Sequence, residues 1–126
     1  MAEKRVLDTT ILIDAIDHGR HLEVLDGDNS ISLISIYEFI RHKKKMLENK
    51  LLLENSFDVL PLTNPVLLKA AEMFVKLKEN GATVSENDIY IASSALVNGL
   101  RLYTKDGDFL TIKKYFQDLK VQLVGG

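Results

Sequence analysis

Short apolar runs alternate with longer stretches of helical spacing along the whole chain. Arg5-Val6-Leu7 reads as a buried first strand that ends at Asp8. From Thr9 to about Ile16 apolar residues recur at helical spacing, through Ile11, Leu12 and Ala15. His18 to Asn29 is polar and punctuated by glycine, with one helical turn expected around His21–Leu25. Ile31 to Ile34 is rich in β-branched residues and predicts a second strand. One helix is expected from Ser35 to about Glu48, with Ile36, Phe39, Ile40 and Leu47 facing inward. Phe57 to Leu62 alternates up to Pro61 and reads as a third strand. Asn64-Pro65 supplies an N-cap followed by proline at the first helical position, opening a helix that runs to about Glu79 and stops at Asn80-Gly81. Ser85 to Asn98 predicts a helix whose small interior, Ala92 to Ala95, permits close approach to a sheet. A fourth strand (Leu100 to Tyr103), a helix (Phe109 to Leu119) and a final edge strand (Val121 to Val124) complete the chain.

Strands that alternate with helices argue for an α/β fold, a parallel sheet built from right-handed crossovers. At 126 residues the expectation is a single domain, 1–126. The helix after Pro65 carries more apolar surface than a sheet face requires. Its polar stripe of Lys69, Glu72, Lys76 and Glu79 is narrow, so a second buried side is expected, against a dimer partner or a covering helix.

Composition narrows the function. Hydrophobic residues make up 46% and charged residues 27%, ordinary for a globular chain. No apolar run approaches the roughly 20 residues of a membrane span. The start, Met1 to Asp8, is too polar for a secretory signal, and there is no cysteine for disulfides or thiolate metal sites. A cytoplasmic protein without membrane contact is expected. A net charge of −2 gives no general polyanion-binding field, so nucleic-acid contact would rest on a bound metal or local basic clusters such as Arg41 to Lys45.

Four acids fall where a predicted strand hands over to a helix: Asp8, Glu38, Asp88 and Asp106. In a parallel sheet the carboxyl ends of the strands share one edge, so such joints converge in space. Each acid has a structural role available. Asp8 can N-cap the first helix, Glu38 lies at capping-box spacing from Ser35, Asp88 lies three residues after Ser85, and Asp106 precedes a glycine as Asx-turn residues do. Together they form a set of carboxylates that repel one another and are best accommodated by a hard divalent cation, Mg²⁺ or Mn²⁺. The residues therefore point to a metal-dependent phosphodiesterase, with a ribonuclease as the leading case. Asp108 is a candidate fifth acid, whereas Asp14 is expected to face away.

At these residues the sequence resembles the PIN-domain family, and within it the compact VapC-type toxins of toxin–antitoxin pairs. The matching segments are Val6 to Ile13, Ser35 to Phe39, Asn87 to Ala92 and Leu102 to Phe109, in order over nearly the whole chain. The resemblance implies a three-layer fold with a five-stranded parallel sheet flanked by helices. It implies Mg²⁺- or Mn²⁺-dependent cleavage of RNA, homodimerisation, and inhibition by a cognate antitoxin. Carried onto this chain, Asp8, Glu38, Asp88 and Asp106 are the catalytic and metal-binding acids. Thr9 and Thr104 match hydroxyl positions that orient carboxylates or water, and Asp108 matches a less regular position. The expected mechanism holds the metal on Asp8, Asp88 and Asp106, with Glu38 completing the shell or orienting water. Arg41 and Lys45, on the Glu38 helix face, would hold flanking phosphates. The alternative is a catalytically inactive PIN-like module that binds RNA or protein; intact acids argue against it.

Overall fold

The computed structural model describes residues 3–125. Five parallel strands form one sheet in the order β3-β2-β1-β4-β5. They are β1 (Arg5–Leu7), β2 (Asn29–Ser32), β3 (Asp58–Leu60), β4 (Arg101–Thr104) and β5 (Val121–Leu123). Six α-helices connect and cover them: α1 (Thr9–His18), α2 (Leu33–Ile40), α3 (Met46–Ser56), α4 (Asn64–Glu79), α5 (Glu86–Val97) and α6 (Asp108–Tyr115). A 3₁₀ turn at Leu22–Leu25 matches the single helical turn expected there.

Alternation along the strands sends side chains to two separate cores. Val6 and Leu102 pack with α4, α5 and α6 residues such as Met73, Ile91 and Phe109 on one face. Leu7 and Tyr103 pack on the other face with Ile11, Leu12, Phe39 and Leu53. Residues 6 and 102, and 7 and 103, are register partners across the β1–β4 pair, so each row stays on its own side. The result is the three-layer, five-stranded parallel sheet expected. Strand order reverses between β1 and β4, which makes the crevice outside their carboxyl ends a topological switch point.

Four local expectations are corrected. The second strand is Asn29–Ser32 rather than Ile31–Ile34. Asn29 and Ser30 are polar yet buried, and Asn29 Oδ1 accepts a 2.7 Å bond from Arg5 Nε, so their strand character is hidden from a hydrophobic pattern. Ser32 ends the strand and also caps α2, its hydroxyl accepting from the Ile34 N–H. The expected single helix from Ser35 to Glu48 is two helices, broken at Arg41 to Lys45. Five consecutive basic residues offer no apolar face to bury, and Lys43 turns instead to Asp17 at 2.6 Å. Leu47, expected inside, is exposed on α3. At α4 the cap is Thr63, whose hydroxyl accepts from the Val66 N–H, while Asn64 is already helical.

The apolar surplus of α4 is visible directly. Val66, Ala70, Met73 and Leu77 face the core, and Leu67, Leu68, Phe74 and Val75 remain exposed. The α5 helix packs against α4 without covering that second side.

Candidate metal centre and active site

Asp8 is the residue between β1 and α1. Extended backbone angles make it the helix N-cap, and its Oδ1 accepts from the Ile11 N–H at 2.9 Å. Its other oxygen accepts from the Thr104 hydroxyl at 2.5 Å. The residue is only 3% exposed. That same Thr104 oxygen accepts from the Asp106 N–H at 2.9 Å, so one hydroxyl joins the ends of β1 and β4. Asp106 in turn accepts from the Asp108 N–H at 2.9 Å, the Asx-turn bond that its neighbour Gly107 suggested.

Asp88 stands in the first turn of α5, its N–H bonded to the N-cap Ser85 at 3.2 Å. Glu38 arrives from the second turn of α2, because that helix starts at Leu33 and its cap is Ser32; the Ser35–Glu38 capping box expected from spacing is not formed. Ser35 is instead buried, 3.0 Å from the Thr9 hydroxyl, and that hydroxyl donates to Glu38 Oε1 at 2.6 Å. Glu38 Oε2 accepts a long bond from Asn87 Nδ2 at 3.4 Å. Spacing singled out Ser35 only as a capping-box partner and did not single out Asn87. Each sits within three residues of an acid, which is the signal that finds them.

The carboxylates are close enough to perturb one another. Burial raises the pKa of Asp8 to about 6 against the opposing bonds from Thr104 and Ile11, and the charges of Asp106 and Glu38 push the same way. Burial likewise raises Asp88 to about 6, reinforced by Asp106, Glu38 and Asp8. Asp88, Asp106 and Asp108 each offer an oxygen within 4.8 Å of the others. A cluster of carboxylate oxygens that must be held ionised against desolvation and mutual repulsion fits a hard divalent cation.

Other expectations meet mixed outcomes. Asp14 lies away from the acids, but it is buried rather than solvated: Lys105 Nζ bonds it, and His21 Nε2 lies 3.5 Å away. Lys105 holds its pKa below the ordinary aspartate value. This pair pins the loop that carries Asp106 and Asp108. Arg41 is beside Glu38, Nη2 to Oε2 at 3.9 Å, as its helix position predicts. Lys45 is not on that face, because α2 has ended; it reaches Glu48 at 3.8 Å.

A PIN-domain family model matches residues 5–115. Ribonuclease VapC1 of Methanocaldococcus jannaschii is 31% identical over 121 residues, spanning 93% of this chain and 82% of the relative. A VapBC2 structure from Rickettsia felis, bound to a promoter DNA fragment, superposes with a TM-score of 0.74 at 23% identity, covering 97% of this chain and 99% of the other. A DNA-bound VapBC from Salmonella typhimurium gives 0.76 at 19% identity, covering 97% and 98%.

Proposed function

The chain belongs to the PIN-domain family, and on that premise we propose that it is a metal-dependent endoribonuclease, the toxin of a toxin–antitoxin pair. The observation that carries this reading is the convergence of carboxylates at the switch point beyond β1 and β4: Thr104 bridges Asp8 to the Asp106 backbone, and oxygens of Asp88, Asp106 and Asp108 lie within 4.8 Å of one another. Residues 1–126 are read as a single PIN-like domain.

In this reading Asp8, Asp88 and Asp106 hold Mg²⁺ or Mn²⁺, with Asp108 as the adjoining acid and Glu38 closing the far side. When bound, the cation supplies Lewis-acid charge to a phosphoryl oxygen and lowers the pKa of water. The chain's own residues prepare the place. Thr104 fixes one oxygen of Asp8 and the backbone of Asp106 together. Thr9 fixes one oxygen of Glu38, which leaves Oε2, toward Asn87 and Arg41, to orient the attacking water. Arg41 brings positive charge to the phosphate side of the site.

The superposed structures are VapBC complexes, and they support a cognate antitoxin as a partner of this chain. Homodimerisation through α4 is supported by its second apolar side and by a groove of about 210 Å³ between α4 and α5, lined by Leu67, Phe74, Val75 and Tyr90 among others. A cytoplasmic site of action is part of the same reading; no helix among the described residues is long and apolar enough to cross a membrane.

The test is cleavage of a panel of single-stranded and structured RNAs in Mg²⁺, Mn²⁺ or EDTA, beside an Asp8→Asn/Asp88→Asn double variant. Metal-dependent cleavage that the double variant lacks is the expected result. A folded wild-type protein that neither cuts RNA nor gains thermal stability from either metal would overturn the assignment.

A further inference from the structure

Arg41 is tied to two neighbours on α2. Its guanidinium lies 3.9 Å from Glu38 Oε2 and stacks over the Tyr37 ring at 5.3 Å from the centroid. At 100° per residue, Tyr37 and Arg41 lie 40° apart on the helix and Arg41 and Glu38 lie 60° apart. The three side chains therefore form a row that starts at a site acid and runs outward over the surface.

Tyr37 is 53% exposed. A lone exposed aromatic is ordinary, but this one adjoins an acid of the site and the other aromatics near the acids are engaged elsewhere. Tyr103 lies under the Arg5 guanidinium at 4.8 Å, Phe39 and Phe109 are buried, and Tyr90, two residues after Asp88, turns to the α4–α5 groove. Arg41 is the member of its basic run that lies against a site acid. Lys43 is bonded to Asp17 and Lys45 reaches Glu48, whereas the one ion-pair contact of Arg41 among the described residues is the long one to Glu38.

We propose that Tyr37 and Arg41 form a subsite for one unpaired nucleotide next to the scissile phosphate. The base stacks on the Tyr37 ring and the guanidinium contacts the adjoining phosphate. An exposed aromatic face accepts any unstacked base, whereas a base inside a duplex is already covered on both faces. This rests on the ribonuclease reading for the reaction, but not for the binding.

The binding test uses the Asp8→Asn protein in EDTA, which cannot cut, with short single-stranded RNAs carrying 2-aminopurine at successive positions. One position should be quenched on binding. Adding Tyr37→Ala or Tyr37→Leu should abolish that quenching and weaken binding about tenfold or more, in the range of one base–aromatic stack. Tyr37→Phe should keep both. Arg41→Ala should lower the salt dependence of binding by about one phosphate contact. Annealing the RNA to its complement should weaken binding to the parent and leave the Tyr37→Ala protein unaffected.

In an active background Tyr37→Ala should raise KM about tenfold with kcat little changed. Melting curves check that these surface variants fold. Unchanged quenching and affinity in Tyr37→Ala would overturn the subsite, as would equal binding of duplex. A change confined to self-association would assign Tyr37 to a protein contact and overturn it too. If the wild type cuts no RNA, the nuclease reading fails, and the binding arm still decides the subsite.

Discussion

Asp8→Asn separates the catalytic demand on the site from its structural cost. Asp8 is buried and its pKa stands at about 6 against an ordinary 3.8. A difference of about two units is worth about 3 kcal/mol at 1.36 kcal/mol per unit. Because the folded-state pKa is raised, protonation favours the folded chain. The stability it contributes is complete below about pH 3.8 and is lost as pH rises through about 6. At pH 8, without metal, the fold therefore carries a charged Asp8 at a cost of about 3 kcal/mol. Asparagine removes the charge and keeps an oxygen for the Ile11 N–H, but its amide nitrogen cannot accept from the Thr104 hydroxyl, and that lost bond is worth about 1 kcal/mol. In EDTA the variant should be more stable than wild type by about 2 kcal/mol at pH 8, and the gain should vanish near pH 4.

Urea titrations at the two pH values read this directly from the midpoints. Saturating Mg²⁺ should then reverse the order at pH 8, because wild type gains binding free energy that the variant largely forfeits. A variant no more stable than wild type at pH 8 in EDTA, or an equal gain at both pH values, would refute the view that Asp8 is a destabilising charge kept for a cation.

Thr104→Val should weaken divalent-metal affinity about ten- to a hundredfold, the usual effect of losing an orienting partner, with Thr104→Ser restoring it; calorimetric titration of Mn²⁺ checks this. Lys105→Met should lower the melting temperature at pH 7 by taking from the Asp14 carboxylate the cation that is bonded to it. Since Lys105 depresses the pKa of Asp14, the pair stabilises above the ordinary aspartate range and its contribution fades as pH falls through the depressed value, so the penalty should shrink in melts near pH 3. Phe74→Glu should convert a dimer to monomer in sedimentation while leaving the melting curve of the monomer close to wild type, because Phe74 is exposed on α4; a monomeric wild type would remove the α4 interface.

The sheet was legible because both faces of β1 and β4 are apolar and the helices between strands keep their spacing. What escaped was polar chemistry inside regular elements. Asn29 and Ser30 are strand residues satisfied or enclosed by the fold, and only the Arg5 side chain across the sheet explains the first of them. The helix break at Arg41 to Lys45 depends on where Asp17 sits in space. Of the candidate site, Asp8, Asp88 and Asp106 could be placed from their joints, and Thr9 and Thr104 from their position beside the acids. Glu38 was included for a partly wrong reason, since it projects from the second turn of α2 instead of a capping box. Asn87 and Ser35 act through hydrogen bonds to side chains 49 and 26 residues away, which no local pattern records.

The passage from β2 to α2 has no linker, since Ser32 is at once the last strand residue and the helix cap. Glu38 is therefore geared to the register of the sheet. One residue inserted between Ser32 and Glu38 would swing the carboxylate 100° about the helix axis and advance it 1.5 Å. The β1–Asp8–α1 junction is as tight. Length changes at these two joints should be ruinous even where every side chain is kept, whereas a residue added after Arg41, between α2 and α3, does not retime the acids. Tolerance for a change of length in this chain is thus set by gearing as much as by chemistry.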